Sequence, residues 1–132
     1  MSPPHFARLS FTGPCLSAWC SKPRSQDPHP WLRVRLGNPQ YILFVATQSS
    51  DSEQNKYFAL SYFLSFVDEN DRKWKNYTEK GNLKVFEGNW DGSTVVKNAI
   101  LNPFKTQTLT FNIVHWKSEE CCLRVEIYGP GT

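Results

Sequence analysis

Short segments that alternate between apolar and polar residues recur along this chain. Trp31 to Leu36 puts its three aliphatic residues on one side and its two arginines on the other, which predicts a half-buried strand. Leu109 to Val114 and Leu123 to Tyr128 alternate in the same way. Tyr41 to Ala46 is continuously apolar instead, which is typical of a strand that is buried on both faces.

Turn residues separate these segments. Gly37 to Pro39 predicts a turn, and Asp68 to Asp71 predicts another at the end of the aromatic, β-rich segment Phe58 to Val67. Two shorter candidate strands are Leu83 to Phe86 and Thr94 to Lys97. No segment of helical length has a 3.6-residue period, so the pattern predicts an all-β sandwich or barrel.

Size and composition indicate one globular domain. The 132 residues are 39% hydrophobic and 14% aromatic, which is enough for one core, and we expect a single domain over 1–132. No apolar run is long enough to cross a bilayer, so we expect no transmembrane segment. A net charge of +3 is too mild to indicate nucleic acid. The first residues have no signal-peptide pattern, so we expect a piece of a larger secreted protein or a leaderless one.

The four cysteines are grouped at the two ends of the chain. Cys15 and Cys20 lie near the start, and Cys121 and Cys122 are adjacent near the end. Adjacent cysteines are poor ligands for one zinc ion, so disulfides between the ends, and hence an oxidising compartment, are favoured.

Catalytic chemistry is not indicated. The neighbouring carboxylates are typical of solvated turns, a cysteine held in a disulfide cannot act as a nucleophile beside His115, and no glycine-rich phosphate loop precedes a helix. We therefore expect a binding module that is not an enzyme and needs no cofactor or metal.

Four segments in order along the chain carry a more specific pattern. They are Ala7-Arg8-Leu9 with Ala18-Trp19-Cys20, Trp31–Gly37 with Val45–Gln48, Lys84–Asn89, and Trp116 with Cys122–Gly129. Together they resemble the discoidin (coagulation factor type C) family. The resemblance implies a jelly-roll β-sandwich or barrel with ligand loops at one end. Since Trp31 opens a strand with aliphatic inward residues, we expect its ring to plug one end of the barrel.

The resemblance also implies a disulfide between Cys20 and Cys122. Cys15 and Cys121 would then form a second bridge, remain free or pair with another chain. Members of the family begin with a further strand and ligand loop before the Ala-Arg-Leu segment. Because Met1 stands about where that loop ends, we expect both to be missing here.

Members of this family bind different ligands through loops at one barrel end: anionic phospholipid, collagen, carbohydrate or protein. Two such loops remain, Ser10 to Ser17 with an apolar tip and Ser49 to Tyr57 with a polar one. The candidate ligand residues are Phe11, Pro14, Leu16, Ser50, Glu53, Lys56 and Tyr57.

The polar second loop favours an extracellular recognition or adhesion module for a cell-surface or matrix glycan or protein. The apolar first loop favours, as an alternative, a peripheral module for anionic phospholipid surfaces. The missing strand leaves open a structural domain with no ligand of its own.

The tripeptide Asn76-Tyr77-Thr78 is an acceptor sequence for N-linked glycosylation. In a secreted β domain it predicts a sugar-bearing surface site at Asn76.

Overall fold

The structure, a computed structural model, describes residues 19–20, 29–49, 59–88, 95–116 and 122–130. These residues form strands and no helix, which confirms the predicted all-β class. The strands in the described residues are β1 (Trp19–Cys20), β2 (Trp31–Ser49), β3 (Ala59–Val67), β4 (Trp74–Asn76), β5 (Thr78–Glu79), β6 (Asn82–Leu83), β7 (Val85–Glu87), β8 (Val96–Trp116) and β9 (Cys122–Tyr128).

Antiparallel pairing joins seven of these strands in the order β1-β9-β2-β8-β3-β4, with β7 also paired to β3. Strands β5 and β6 pair only with each other in this part of the chain. The two long strands β2 and β8 pair along most of their lengths, and shifts of register interrupt the pairing after Arg35 and Ile42. Such irregularities bend strands, so both long strands turn a corner of the barrel.

The predicted turn at Gly37 to Pro39 is wrong, because this segment continues as part of β2. It lies in the first register shift, between Arg35 and Gln40. The Gln107 side-chain amide donates hydrogen bonds of 3.1 Å to the carbonyls of both Leu36 and Gly37. A neighbouring side chain therefore satisfies carbonyls at the place where the regular ladder is interrupted.

Alternating rows of side chains form the core, as the sequence predicts for three segments. Leu32, Val34 and Leu36 are 4–7% exposed, and the inward residues of the predicted segment in β8 are buried as well, as are Val125 and Ile127 in β9. Tyr62 lies at the centre with its ring centroid 5.4 Å from that of Phe86. The buried apolar residues are Leu32, Val34, Leu36, Ile42, Val45, Tyr62, Leu64, Phe66, Tyr77, Phe86, Ile100, Leu109, Phe111, Ile113, Trp116, Val125 and Ile127.

The apolar segment Tyr41 to Ala46 is buried on one side rather than two. Ile42 and Val45 are fully buried, whereas Tyr41 is 50% and Phe44 37% exposed. The prediction of burial on both faces is therefore wrong, since the outer side of this strand is open to solvent at Tyr41 and Phe44.

The other predicted strands occur with shifted boundaries. The segment Phe58 to Val67 corresponds to β3, and the segment Leu83 to Phe86 is divided between β6 and β7. The segment Thr94 to Lys97 provides the beginning of β8 at Val96.

The turn predicted at Asp68 to Asp71 is confirmed, and it is held by local hydrogen bonds. The Asp68 carbonyl accepts from the Arg72 amide at 2.8 Å, and the Asp68 carboxylate accepts from the Asn70 amide at 2.9 Å. The Lys75 ammonium donates to Asp68 and lies 3.1 Å from Asp71. The hydrogen bond from Lys75 lowers the pKa of Asp68, and the same contact raises the pKa of Lys75.

Tyr77 ties β4 and the β5–β6 hairpin to β8. The side chain is 3% exposed, and its hydroxyl donates to the Glu79 carboxylate at 2.7 Å and accepts from the Asn102 amide at 3.1 Å. Burial raises the pKa of Tyr77 to about 12. The hairpin itself turns at Lys80 and Gly81, whose φ angles of 55° and 82° are those that a two-residue type I′ turn requires.

Candidate functional site

Several strand ends meet at one end of the barrel. Ser49 at the end of β2 lies opposite Leu123 in β9, and Ala59 at the start of β3 lies opposite Trp116 at the end of β8. The start of β8 pairs here as well, with Val96 opposite Thr47. We call this the loop end, because the connections 50–58, 89–94 and 117–121 all leave from it.

Asn98 of β8 links this strand to β3 and β7 near the loop end. Its side-chain amide donates to the Tyr62 hydroxyl and to the Glu87 carbonyl, each at 3.1 Å. Tyr62 is fully buried, and burial raises the pKa of its phenol, which stays neutral at physiological pH. The arrangement therefore supports the fold and is not an acid–base site.

A groove of about 640 Å³ lies beside the loop end, across β3, β8 and the residues before β2. The Ile113 amide donates to the Pro30 carbonyl at 3.0 Å, which fixes the segment before β2 against β8. Phe63 and Asn112 are cross-strand partners on the outer side of the sheet. The groove is lined by His29, Pro30, Phe63, Asn112, Ile113, Val114 and Trp116.

Aromatic rings and a few polar groups share this groove. The Asn112 amide donates to the Ser65 hydroxyl at 3.0 Å, which fixes its orientation between β8 and β3. The exposed His29 contributes an imidazole and the half-buried Phe63 contributes ring surface, while the buried Trp116 forms part of the wall. A mostly apolar concavity with a few placed polar groups is suited to holding a small ligand without covalent chemistry.

Ser61 and His115 form a hydrogen bond of 2.9 Å near the groove. They are direct cross-strand partners on β3 and β8, so the bond follows from the register of the sheet. A nucleophilic serine also needs a third group that orients the histidine and donors for an oxyanion. The exposed pair alone therefore does not assign catalysis.

The residues proposed from the sequence as ligand contacts lie outside the described part of the chain. This holds for Phe11, Pro14, Leu16, Ser50, Glu53, Lys56 and Tyr57. Their two loops can be placed only by their connections: the second leaves β2 at Ser49 and enters β3 at Ala59, both at the loop end. The sequence does not reveal the groove, because its lining residues come from separate segments that only the register brings together.

The backbone places Cys20 of β1 directly opposite Cys122 of β9. Directly paired residues of antiparallel strands have Cα atoms about 4.5–5.5 Å apart, within the range that a disulfide spans. Cys15 and Cys121 lie outside the described residues, and the bonding of the four sulfurs stays a prediction.

Trp31, Arg33 and Trp74 form an exposed stack on the outer side of the sheet. The Arg33 guanidinium carbon lies 4.5 Å from the centroid of the Trp31 ring and 4.6 Å from that of Trp74, and its Nε donates to the Thr110 hydroxyl at 3.1 Å. Trp31 is 50% and Trp74 48% exposed. The expectation that Trp31 plugs the barrel end is therefore wrong. The side chains of Trp31 and Arg33 project from the same face of β2, whereas that of Leu32 projects from the opposite, buried face, so the alternation places Trp31 on the outer side.

A second cation lies between rings nearer the loop end. The Lys97 ammonium is 4.5 Å from the ring centroids of both Phe44 and Tyr128. Val95, which precedes β8, is 55% exposed. This corner of the barrel thus combines positive charge with exposed apolar surface.

Metal binding and membrane crossing are not indicated by the residues that the structure covers. Among them, no three His, Cys, Asp or Glu side chains come together closely enough to hold a metal ion. They also contain no helix that is long and apolar enough to span a membrane.

Comparisons with known proteins agree on the fold. Mouse lactadherin is 30% identical to this chain over 126 residues, which cover 96% of the chain and 26% of lactadherin. An F5/8 type C domain from Bacteroides fragilis superposes with a TM-score of 0.73 at 15% identity, over 94% of this chain and 80% of that one. A Clostridium perfringens module solved with GalNAc-β-1,3-galactose superposes with a TM-score of 0.63 at 14% identity, over 89% of this chain and 79% of that module.

The family comparison covers nearly the whole sequence. The profile of the F5/8 type C domain matches residues 4–127, and the similar structures share the antiparallel β architecture described above. The chain spans about a quarter of lactadherin, so the likeness concerns one domain of that protein. The resemblance in the sequence motifs is confirmed, and this chain belongs to the F5/8 type C (discoidin) domain family.

Proposed function

We propose that this chain is an extracellular, non-catalytic recognition module that binds a glycan at the loop end of the barrel. The observation that carries the proposal is the groove beside that end, where Phe63 and Trp116 lie together with the Asn112 amide and the His29 imidazole. A sugar has hydroxyl groups for hydrogen bonds and a C–H face that packs against the electron-rich face of an aromatic ring. This groove offers partners for both.

The size of the groove favours a sugar over a protein surface. Its volume of about 640 Å³ lies within the range of sites for small ligands, and a protein partner would need a much wider contact. The second predicted ligand loop enters β3 at Ala59, opposite Trp116, so Ser50, Glu53, Lys56 and Tyr57 belong to a connection that ends beside the groove.

The related fold supports the same class of ligand. The Clostridium perfringens module holds a disaccharide that ends in galactose, although at 14% identity its ligand is a guide for this chain and no more. For that reason N-acetylgalactosamine and galactose are the first probes to use.

The test is a glycan array followed by titration of the best ligand, with the secreted, folded chain. His29→Ala and Asn112→Ala should each weaken binding about 10-fold or more, the effect of losing one or two hydrogen bonds. Asn38→Ala is the matched control, because Asn38 is exposed in the bent part of β2 and does not line the groove. Glycan binding that is unchanged in both groove variants would contradict this site, and binding to protein ligands alone would contradict the glycan class.

Anionic phospholipid is the second candidate, and the corner at Lys97 favours it. Lys97 follows the exposed Val95 by two residues, and its ammonium lies against the partly exposed Phe44 ring, so a lipid headgroup and an acyl region would each meet a suitable surface. The predicted apolar tip, Phe11 with Leu16, is the sequence feature that favours the same ligand.

Co-sedimentation with liposomes distinguishes the two candidates. Binding that requires phosphatidylserine, weakens as salt is raised and is lost in Phe11→Ala/Leu16→Ala would favour the lipid. A folded chain that does not bind these liposomes but binds glycans on the array would exclude anionic phospholipid as the ligand.

A further inference from the structure

The sequence Asn76-Tyr77-Thr78 begins at the end of β4, which is an edge strand of the seven-stranded sheet. Asn76 and Thr78 are exposed, whereas Tyr77 between them is 3% exposed and lies in the core. The Tyr77 amide donates to the Leu64 carbonyl at 2.8 Å, so this segment is held firmly against β3. A glycan at Asn76 would therefore stand on the outside of the fold without disturbing the core residue beside it.

Trp74 lies two residues before Asn76 in the same strand, and alternate residues of a strand project from the same face. The contact between Trp74 and Arg33 identifies this face as the outer one, since Arg33 alternates with the buried Leu32 and Val34. Two residues of strand span about 6.5–7 Å, a distance that an asparagine side chain and one attached sugar bridge. The first sugar at Asn76 can therefore reach the indole.

The Trp74 ring has surface left for such a contact. Arg33 lies against it, yet 48% of the residue remains exposed. About half of the residue is therefore accessible to a sugar attached nearby.

Polar groups lie on the other side of Asn76. Ser65 is its direct cross-strand partner, and the Ser65 hydroxyl accepts a hydrogen bond of 3.0 Å from the Asn112 amide. A sugar with an acetamide group would thus lie between an indole and a hydroxyl–amide pair.

We propose that Asn76 carries an N-linked glycan whose first N-acetylglucosamine packs its C–H face on the exposed part of the Trp74 ring. Asn76 receives the oligosaccharide from a lipid-linked pyrophosphate donor during secretion. A bond forms between the Asn76 side-chain nitrogen and C1 of the sugar, the bond from C1 to the pyrophosphate oxygen breaks, and the amide nitrogen loses one proton. The lipid pyrophosphate is the leaving group, and nothing is oxidised or reduced.

This contact gives the glycan a structural role that is independent of ligand binding at the loop end. It covers an indole, and it places a bulky hydrophilic group on β4, which hinders pairing with the edge of another sheet. It also predicts that the stabilising effect of the glycan depends on Trp74.

The experiment uses the full chain secreted from mammalian cells behind an added leader peptide, with the glycan trimmed to a single N-acetylglucosamine. Occupancy is measured by mass spectrometry of the peptide that contains position 76, before and after enzymatic deglycosylation in ¹⁸O water. Asn76→Gln supplies the protein without sugar. We expect the trimmed form to melt about 3 °C above Asn76→Gln, the size expected for one stacking contact in a domain of this length.

The decisive comparison repeats this pair in two backgrounds. In Trp74→Ala the sugar should change the Tm by less than about 1 °C, whereas in Trp31→Ala, which removes the other exposed indole of the stack, the rise of about 3 °C should remain. An unmodified Asn76 in the folded, secreted chain would overturn the proposal, and so would an equal rise in Trp74→Ala.

A second measurement covers the case in which Trp74→Ala does not fold. In the trimmed protein with an unchanged Trp74, ¹³C-labelled N-acetylglucosamine should give proton resonances shifted upfield by the indole ring current. Sugar resonances at the positions seen in an unfolded glycopeptide would overturn the stacking.

Discussion

Replacing Arg33 by glutamine removes the cation that lies between Trp31 and Trp74 on the outer side of the sheet. In the native protein the guanidinium carbon is 4.5 and 4.6 Å from the two ring centroids, and Nε donates to the Thr110 hydroxyl at 3.1 Å. Glutamine at this position is shorter and uncharged, so all three contacts are lost while the hydrophilic character of the position is kept.

The size of the effect follows from these contacts. Each cation–π contact at a partly exposed site contributes about 0.5–1 kcal/mol, and the hydrogen bond contributes about 1 kcal/mol. The sum is about 2–3 kcal/mol, which for a domain of this length lowers the Tm by about 6–10 °C. Thermal and urea unfolding are followed by far-ultraviolet circular dichroism, because fluorescence would change with the environment of the tryptophans themselves.

Arg35→Gln is the matched control. Arg35 is two residues further along the same outer face of β2 and is also exposed, and we expect its replacement to cost less than about 0.5 kcal/mol. In a Trp74→Ala background the cost of Arg33→Gln should fall by about 0.5–1 kcal/mol. Equal costs with and without Trp74, or no difference between the two arginine variants, would refute the stack as a source of stability.

Three further predictions test the core, a buried phenol and the cysteines. Phe111 is fully buried, so Phe111→Ala should cost about 3–5 kcal/mol in urea unfolding, and a loss below 2 kcal/mol would contradict a closely packed core. Burial raises the pKa of Tyr77 to about 12, above the value near 10 of an unfolded tyrosine. The stability that the neutral phenol contributes is therefore complete below pH 10 and is lost between pH 10 and 12. Tyr77→Phe should flatten the dependence of unfolding free energy on pH in that window, and the same dependence in variant and wild type would contradict this. If Cys20 and Cys122 form a disulfide, the double Cys→Ser variant should lose about 4–5 kcal/mol and match the reduced wild type, whereas native-state alkylation of both thiols would disprove the bridge.

The alternation of side chains is the part of the fold that the sequence predicts well. Three segments lie in strands with one buried side: Leu32 to Leu36, Leu109 to Ile113 and Val125 to Ile127. In such strands every second residue is apolar, and this period of two can be recognised in a single sequence. The bend of β2 at Gly37 to Pro39 is different, because glycine and proline occur at corners of long strands as well as in turns. Only the pairing with β8 distinguishes the two.

The position of Trp31 shows a second limit. A large aromatic residue beside aliphatic ones suggests burial, although its place in the alternation puts it with Arg33 on the outer side. Counting positions would have predicted this exposure. The groove could not be predicted in that way, since Phe63 and Asn112 meet only through the register of β3 and β8, and register depends on the whole sheet.

The place of β9 in the sheet determines when the protein can fold during its synthesis. This strand, Cys122–Tyr128, lies between β1 and β2. Thr47 of β2 pairs with Val125, which is translated 78 residues later, so this pairing cannot form before then. Until then the edge of β2 from Phe44 to Ser49 stays open on the nascent chain, where it can pair with other unfinished chains. We therefore expect a ribosome-bound chain that ends before Cys122 to need a chaperone, and release of the last strand to be the event that closes the barrel.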